Sequence, residues 1–301
     1  MINRVELIPK KGTDKIMAVF ANSTNPNGIW AIPWEGSAFN LSGGALLVEG
    51  NFTSSSASFN FAWEEQSGEG LLVIGNDGNS THSPMIVAHT FSPGGGGWSG
   101  ESIISSVAFT GMDGVEMCSN PESDFIGLIW QGQNADGTSA LNVSMWNGAS
   151  FLNGGSPLGD ASTEFPGSSS LTNIGCAWYN QTSALFGFVN ANALGLSYFT
   201  FTEPSSWNVT NLTATASTFN FASDDIGYLS FHKHPTTGEV MIAVLDILED
   251  ADVIRWLGNR TRRFIVPAES PVERFIEVSN AGQEGIAFEW FRYDPGPNVA
   301  T

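Results

Sequence analysis

The chain of 301 residues carries 11 Lys and Arg against 30 Asp and Glu, a net charge of -19, and 42% of it is apolar. That balance argues against nucleic acid or an anionic membrane as partner, because both demand Lys and Arg to replace counterions. Only 14% of the residues are charged and Gly alone contributes 34, which suits many short strands joined by polar turns, and not a helical or disordered chain.

From the N-terminus, Met1-Ile2-Asn3-Arg4 leads straight into a strand-like segment, so no signal-peptide pattern is visible. No apolar run approaches the roughly 20 residues of a membrane span. A short strand with a variable residue between two apolar ones then recurs: Val5-Glu6-Leu7, Phe59-Asn60-Phe61, Val115-Glu116-Met117, Ile174-Gly175-Cys176, Phe219-Asn220-Phe221 and Ile276-Glu277-Val278. That alternation is the period of a strand. A second, more apolar strand follows each at 16–22, 71–76, 125–131, 185–190, 228–232 and 286–291.

The third strand carries an aromatic stamp at Trp34, Phe91, Trp146, Phe201 and Trp256, a series whose step is nearly constant. After a tight turn a second aromatic lands at Phe39, Trp98, Phe151, Trp207 and Phe264. A weaker fourth strand is expected at 45–49, 102–106, around Pro157, 211–216 and 264–267. Four short strands repeated about every 55 residues are the signature of a β-propeller, in which each blade buries both faces against its neighbours. The expected fold is therefore all-β. It is a single domain over 1–301, with about six repeats near 4–58, 59–113, 114–172, 173–218, 219–273 and 274–301, the last incomplete.

The chain resembles β-propeller proteins over its whole length, without the Trp-Asp pairs of WD40 blades or the Ser-x-Asp-x-Gly boxes of sialidases. Its strand-Trp-x-Gly-x-x-aromatic ending is similar to blades of secreted bacterial propellers and, more distantly, of fucose-binding propeller lectins. That second resemblance implies a site between blades built from an Arg, a Glu and an aromatic. No Arg occurs between Arg4 and Arg255, so most blades cannot carry it, and a lectin here needs other chemistry.

The variable residues Glu6, Asn60, Glu116, Gly175, Asn220 and Glu277 are candidates for a ring lining the central channel, where carboxylates bind a cation or polar residues simply face water. His232-Lys233-His234 offers two imidazoles on one strand face, and Asn76-Asp77-Gly78-Asn79 and Asn134-Ala135-Asp136-Gly137 faintly resemble calcium loops, but hairpin turns want the same residues. No metal centre, cofactor or catalytic nucleophile is expected. Cys118 and Cys176, on inner strands of adjacent repeats, are expected as small buried thiols, with a disulfide as the alternative. The tryptophans Trp30, Trp34, Trp146, Trp178 and Trp256 are expected mostly between blades, with sugar platforms as the alternative.

Nine N-glycosylation sequons, at Asn22, Asn40, Asn51, Asn79, Asn142, Asn180, Asn208, Asn211 and Asn259, and no Lys or Arg between Lys15 and Lys233 point outside the cell. The primary expectation is a structural or adhesive extracellular protein whose partners are copies of itself or another surface protein. Assembly runs through Ile286, Phe288 and Trp290, which are too apolar for a bare sheet edge. The alternative is a carbohydrate-binding propeller, with a propeller glycosidase third.

Overall fold

The computed structural model of the chain describes residues 2–22, 28–42, 44–49, 59–75, 86–94, 96–105, 109–134, 139–152, 174–190, 195–203, 206–207, 226–233, 238–246, 251–256 and 261–265. Among these residues there are 21 strands and no helix. The first sheet is β1 (Ile2–Pro9), β2 (Lys15–Asn22), β3 (Gly28–Glu35) and β4 (Leu46–Glu49), side by side in chain order. The second is β5 (Phe59–Trp63), β6 (Gly70–Gly75) and β7 (Ile86–Ser92), with β8 (Gly97–Trp98) and β9 (Ser102–Ser105) both pairing β7. The third is β10 (Phe109–Ser119), β11 (Ile126–Asn134), β12 (Ser139–Trp146) and β13 (Phe151–Leu152). The fourth is β14 (Ile174–Trp178), β15 (Ser183–Asn190), β16 (Gly195–Thr202) and β17 (Ser206–Trp207). The fifth is β18 (Ile226–Lys233), β19 (Val240–Asp246), β20 (Ala251–Trp256) and β21 (Thr261–Ile265).

Each sheet is an antiparallel meander, and the first strands β1, β5, β10, β14 and β18 contact one another in that order. These are propeller blades. The aromatic stamps sit in equivalent third strands, and the landing aromatics pair them across the turn as Trp34 with Phe39, Phe91 with Trp98, Trp146 with Phe151 and Phe201 with Trp207. Gly148 closes one such turn at φ +86°, where a side chain would strain the backbone, and Asn147 Oδ1 accepts from the Ala149 and Ser150 amides. In the fifth blade the landing differs from expectation. Trp256 pairs Thr261, and Phe264 lies further along β21 opposite Val253.

Three apolar clusters fill the junctions between successive blades. Met17, Val19 and Ile29 meet Phe59, Phe61 and Leu72 between the first and second. Leu71, Val73 and Ala88 meet Val115, Leu128 and Trp130 between the second and third. Ile129, Val143 and Met145 meet Cys176, Phe186 and Phe188 between the third and fourth. Burial on both sheet faces is what makes these strands apolar on both sides.

Two expectations are corrected. The inner strand of the fifth blade is Ile226–Lys233 and its second strand is Val240–Asp246, whereas residues 228–232 were expected in the second place. The Phe219-Asn220-Phe221 triplet lies outside the described residues. The packing explains this register. Phe231 of β18 fills the space over Gly175 and Gly187 of the fourth blade, where any Cβ would collide with its ring. The cysteines are also not free thiols: Cys118 and Cys176 form a disulfide from β10 to β14, with their Cα atoms 5.8 Å apart.

Candidate functional site

Strand period decides what meets between the second and third blades. Along β12, Leu141, Val143 and Met145 face the fourth blade, so Asn142, Ser144 and Trp146 face the second. Register adds Trp130 directly opposite Asn142, and Ile126 opposite Trp146. Where β5 ends, Glu64 enters the same junction. It is 1% exposed; its Oε1 accepts from Trp146 Nε1 at 2.6 Å and its Oε2 from Ser67 Oγ at 2.6 Å.

Burial pushes the Glu64 carboxyl above the usual range; the bonds from Ser67 and Trp146 pull it down, and the charges of Asp124 and Glu69 push it up again, leaving it raised. The turn over it is tied to the third blade by Asp124, whose Oδ1 accepts from the amides of Gln66 at 2.9 Å and Ser67 at 2.8 Å. Glu69 Oε1 accepts from Ser92 Oγ at 2.7 Å. Gln66 and Glu122 are exposed at this end.

Away from Glu64 the junction stays polar where it ought to be apolar. Trp130 Nε1, Asn142 Nδ2 and Ser144 Oγ are buried and have no hydrogen-bond partner among the described residues. Each such orphan costs about 1–3 kcal/mol, and three share one seam with a buried carboxyl. Two N–H donors and a hydroxyl suit a neutral ligand with several hydroxyls, which both gives and accepts hydrogen bonds.

The next junction repeats the design with the groups exchanged. Asn120, fully buried, takes the place of Glu64, and its Nδ2 donates to Gln181 O at 2.7 Å and to Glu203 Oε1 at 2.8 Å. Ser123, equivalent to Ser67, donates from Oγ to the same Glu203 oxygen at 3.1 Å.

Of the expected channel ring, Asn60 and Glu116 come together: Asn60 Nδ2 donates to Glu116 Oε2 at 3.2 Å and to Val115 O at 3.3 Å. Glu6 is half-buried in the equivalent place on β1. Gly175 makes room for the ring of Phe231. The fifth equivalent is Ser230, whose Oγ lies 2.7 Å from His232 Nε2; Asn220 and Glu277 lie outside the described residues, as do Ile286, Phe288, Trp290, His234, Asp136 and Asn76 to Asn79. Burial lowers the His232 pKa. No group of three metal-ligating side chains occurs among the described residues.

Trp146 and Trp178 are core residues, while Trp30 stacks on Phe20 at 6.4 Å between ring centroids. The Asn142 sequon is on a side chain only 3% exposed, so the folded chain cannot present it to a glycosyltransferase; Asn180 is exposed. Sequence reasoning missed Glu64. Its signal is an acid directly after an inner strand that ends in Trp.

No family model matches the chain, and no curated protein matches it in sequence. Solved structures do match in fold. The BP39L lectin from Burkholderia pseudomallei is 14% identical, with 84% of this chain covering 66% of that one at a TM-score of 0.58. AofleA from Arthrobotrys oligospora is 10% identical, with 87% of this chain covering 72% of that one at a TM-score of 0.51. A Hadza microbial sialidase is 10% identical over 87% of this chain and 57% of that one, at a TM-score of 0.48. This chain thus spans about two thirds of the lectin it resembles in fold. It is a β-propeller with distant likeness to the blades of propeller lectins.

Proposed function

We propose that the protein is an extracellular carbohydrate-binding propeller that takes a neutral saccharide at the junction of its second and third blades, which has to part to admit it because Trp130, Ser144, Glu64 and Asn142 are closed to solvent. The observation that carries this reading is the polar seam. Glu64, Trp146, Ser144, Asn142 and Trp130 line one inter-blade junction, and three of their polar atoms are buried without partners among the described residues. A polyhydroxylated ligand satisfies such groups, with exposed Gln66 and Glu122 offering first contacts at the mouth. An anionic ligand fits poorly, because the seam buries the Glu64 carboxyl and no Lys or Arg is buried among the described residues. The lectin-like fold supports the same reading, and the Cys118–Cys176 disulfide supports an oxidising compartment.

The test fills the seam. An Asn142→Leu, Ser144→Ala variant is expected to keep or raise the melting temperature, since apolar groups replace orphaned polar ones, and to bind at least about tenfold more weakly, a loss of about 1.4 kcal/mol. Glycan-array screening of the full chain followed by calorimetry reads both. A wild-type chain that binds no neutral glycan, or a variant that binds unchanged, rejects the proposal.

A second reading, the self-assembling structural subunit, is favoured by a different observation. Val5, Leu7, Phe39 and Leu41 of the first blade are 54%, 61%, 49% and 68% exposed, and a copy of the chain seated there makes a head-to-tail contact. Sedimentation over a range of concentrations separates it from a monomeric binder.

A further inference from the structure

The turns that follow the first four inner strands differ in what holds their amides. In the third blade Asn120 caps its own turn, its Oδ1 accepting from Glu122 N at 3.0 Å. In the fourth, Asn180 Oδ1 accepts from Thr182 N at 2.8 Å. In the first, Lys10 O accepts from Thr13 N at 3.2 Å, and Thr13 Oγ1 from Lys15 N at 3.2 Å. A side chain or carbonyl of the turn itself keeps such a turn in shape without help from a neighbour.

The second blade departs from this. Glu64 stands directly after its inner strand, as Asn120 does in the third, but its carboxyl turns into the seam toward Trp146 Nε1 and Ser67 Oγ. The amides of Gln66 and Ser67 go instead to Asp124 Oδ1 of the next blade, at 2.9 and 2.8 Å. Gln66 Nε2 adds a bond to Glu122 O. This clasp lies at the surface, with Gln66, Ser67 and Glu122 exposed and Asp124 half-buried. Hydrogen bonds within reach of water are worth little net and open readily.

The neighbouring junctions are fastened more firmly. Trp63 Nε1 donates to Ile8 O at 2.9 Å and Trp178 Nε1 to Cys118 O at 3.0 Å, one indole tether repeated in the first and third junctions. At the second junction the same place is Ser119, whose Oγ donates to Trp63 O at 2.6 Å. The third junction has a further lock. Two residues past the stamp of the fourth blade, Glu203 reaches back to Asn120 Nδ2 and Ser123 Oγ, and the disulfide crosses beside it. Two residues past the stamp of the third blade stands Gly148, which has no side chain to reach with. A Cβ there would lie 3.1 Å from Asp124 Cβ and 3.8 Å from Glu64 Oε2.

We propose that the turn 64–70 is a gate over the seam and that Asp124 is its latch. When Asp124 lets go of the two amides, the turn swings out and draws the Glu64 carboxyl away from Trp146 Nε1. Trp146, Ser144 and Asn142 follow one another inward from that point along one face of β12, so the gate opens onto the unpartnered groups in order. What it admits rests on the reading of the seam as a saccharide site; its opening does not.

Hydrogen–deuterium exchange on the full chain, followed by NMR, tests the gate without a ligand. Asp124→Ala is expected to speed exchange of the Gln66 and Ser67 amides and of Trp146 Nε1–H at least about tenfold, and to leave Trp178 Nε1–H within about twofold of wild type. Asp124→Asn keeps an acceptor and is expected to stay close to wild type. Unchanged exchange at Trp146 Nε1–H in Asp124→Ala overturns the proposal, because the clasp then does not control the seam. Equal acceleration at Trp178 Nε1–H overturns it as well, because the whole protein is then loosened and no gate exists. The expected exchange pattern in a chain that binds no neutral glycan would keep the gate and reject the saccharide.

Discussion

The first and second blades have the same four-strand plan and the same apolar places, yet differ in what those places touch. Phe59 and Phe61 are all but sealed, while Val5 and Leu7 are more than half exposed. The difference lies in the neighbour, not the blade. A blade is a sheet with two apolar faces, so its stability is a sum of two junctions, and a repeat protein loses at its ends what it gains in its middle.

The largest test removes a sealed side chain and its open counterpart. Phe61→Ala is expected to cost about 3–5 kcal/mol in denaturant unfolding. Leu7→Ala, at a side chain 61% exposed, is expected to cost well under about 1 kcal/mol. A cost close to that of Phe61→Ala would break the contrast and show that Leu7 is covered in solution. Next, replacing Cys118 and Cys176 together by Ser is expected to cost about 2–4 kcal/mol, measured against wild type without reductant. An unchanged midpoint would show the third and fourth blades held by packing alone.

Glu64→Ala strands Trp146 Nε1 and is expected to cost about 1–3 kcal/mol. Glu64→Gln keeps an acceptor for that N–H and loses the charge. Because the folded pKa of Glu64 lies above its unfolded value, its contribution is complete below the ordinary carboxylate range and is lost as pH rises through the raised value. The Gln variant should lack that decline, and its pH–stability curve from acid to neutral checks this. The smallest effect belongs to the repeated tether. Trp63→Phe and Trp178→Phe should each cost about 1 kcal/mol, and clearly unequal values would show that the two junctions are not copies.

Much of this was legible in the sequence because aromatic spacing is a long-range signal. Trp34, Phe91, Trp146, Phe201 and Trp256 fall in five equivalent third strands, and a stamp that returns once per blade survives local ambiguity. The inner strands were less legible. Phe219-Asn220-Phe221 copies Phe59-Asn60-Phe61 letter for letter, but three residues of alternation do not fix a register. What fixes it is Phe231 settling over Gly175 and Gly187, a contact between successive blades that no local window contains. The spacing of inner-strand ends would have found it, since one full repeat past Trp178 lands on Lys233 and not on Phe221. The seam was invisible for a related reason. Asn142 and Ser144 look like ordinary solvent-facing strand residues until a second blade lies against them, and Glu64 looks like a turn acid.

The bond between Cys118 and Cys176 has a mechanical consequence. It crosses from one blade to the next near the axis, where the blades would otherwise part like leaves of a fan. A propeller with one stapled pair cannot splay evenly. Opening under heat, shear or a protease has to begin at another seam, and the third and fourth blades leave last as a single piece. That piece is the fragment to look for after limited digestion, and adding reductant during digestion should make it disappear.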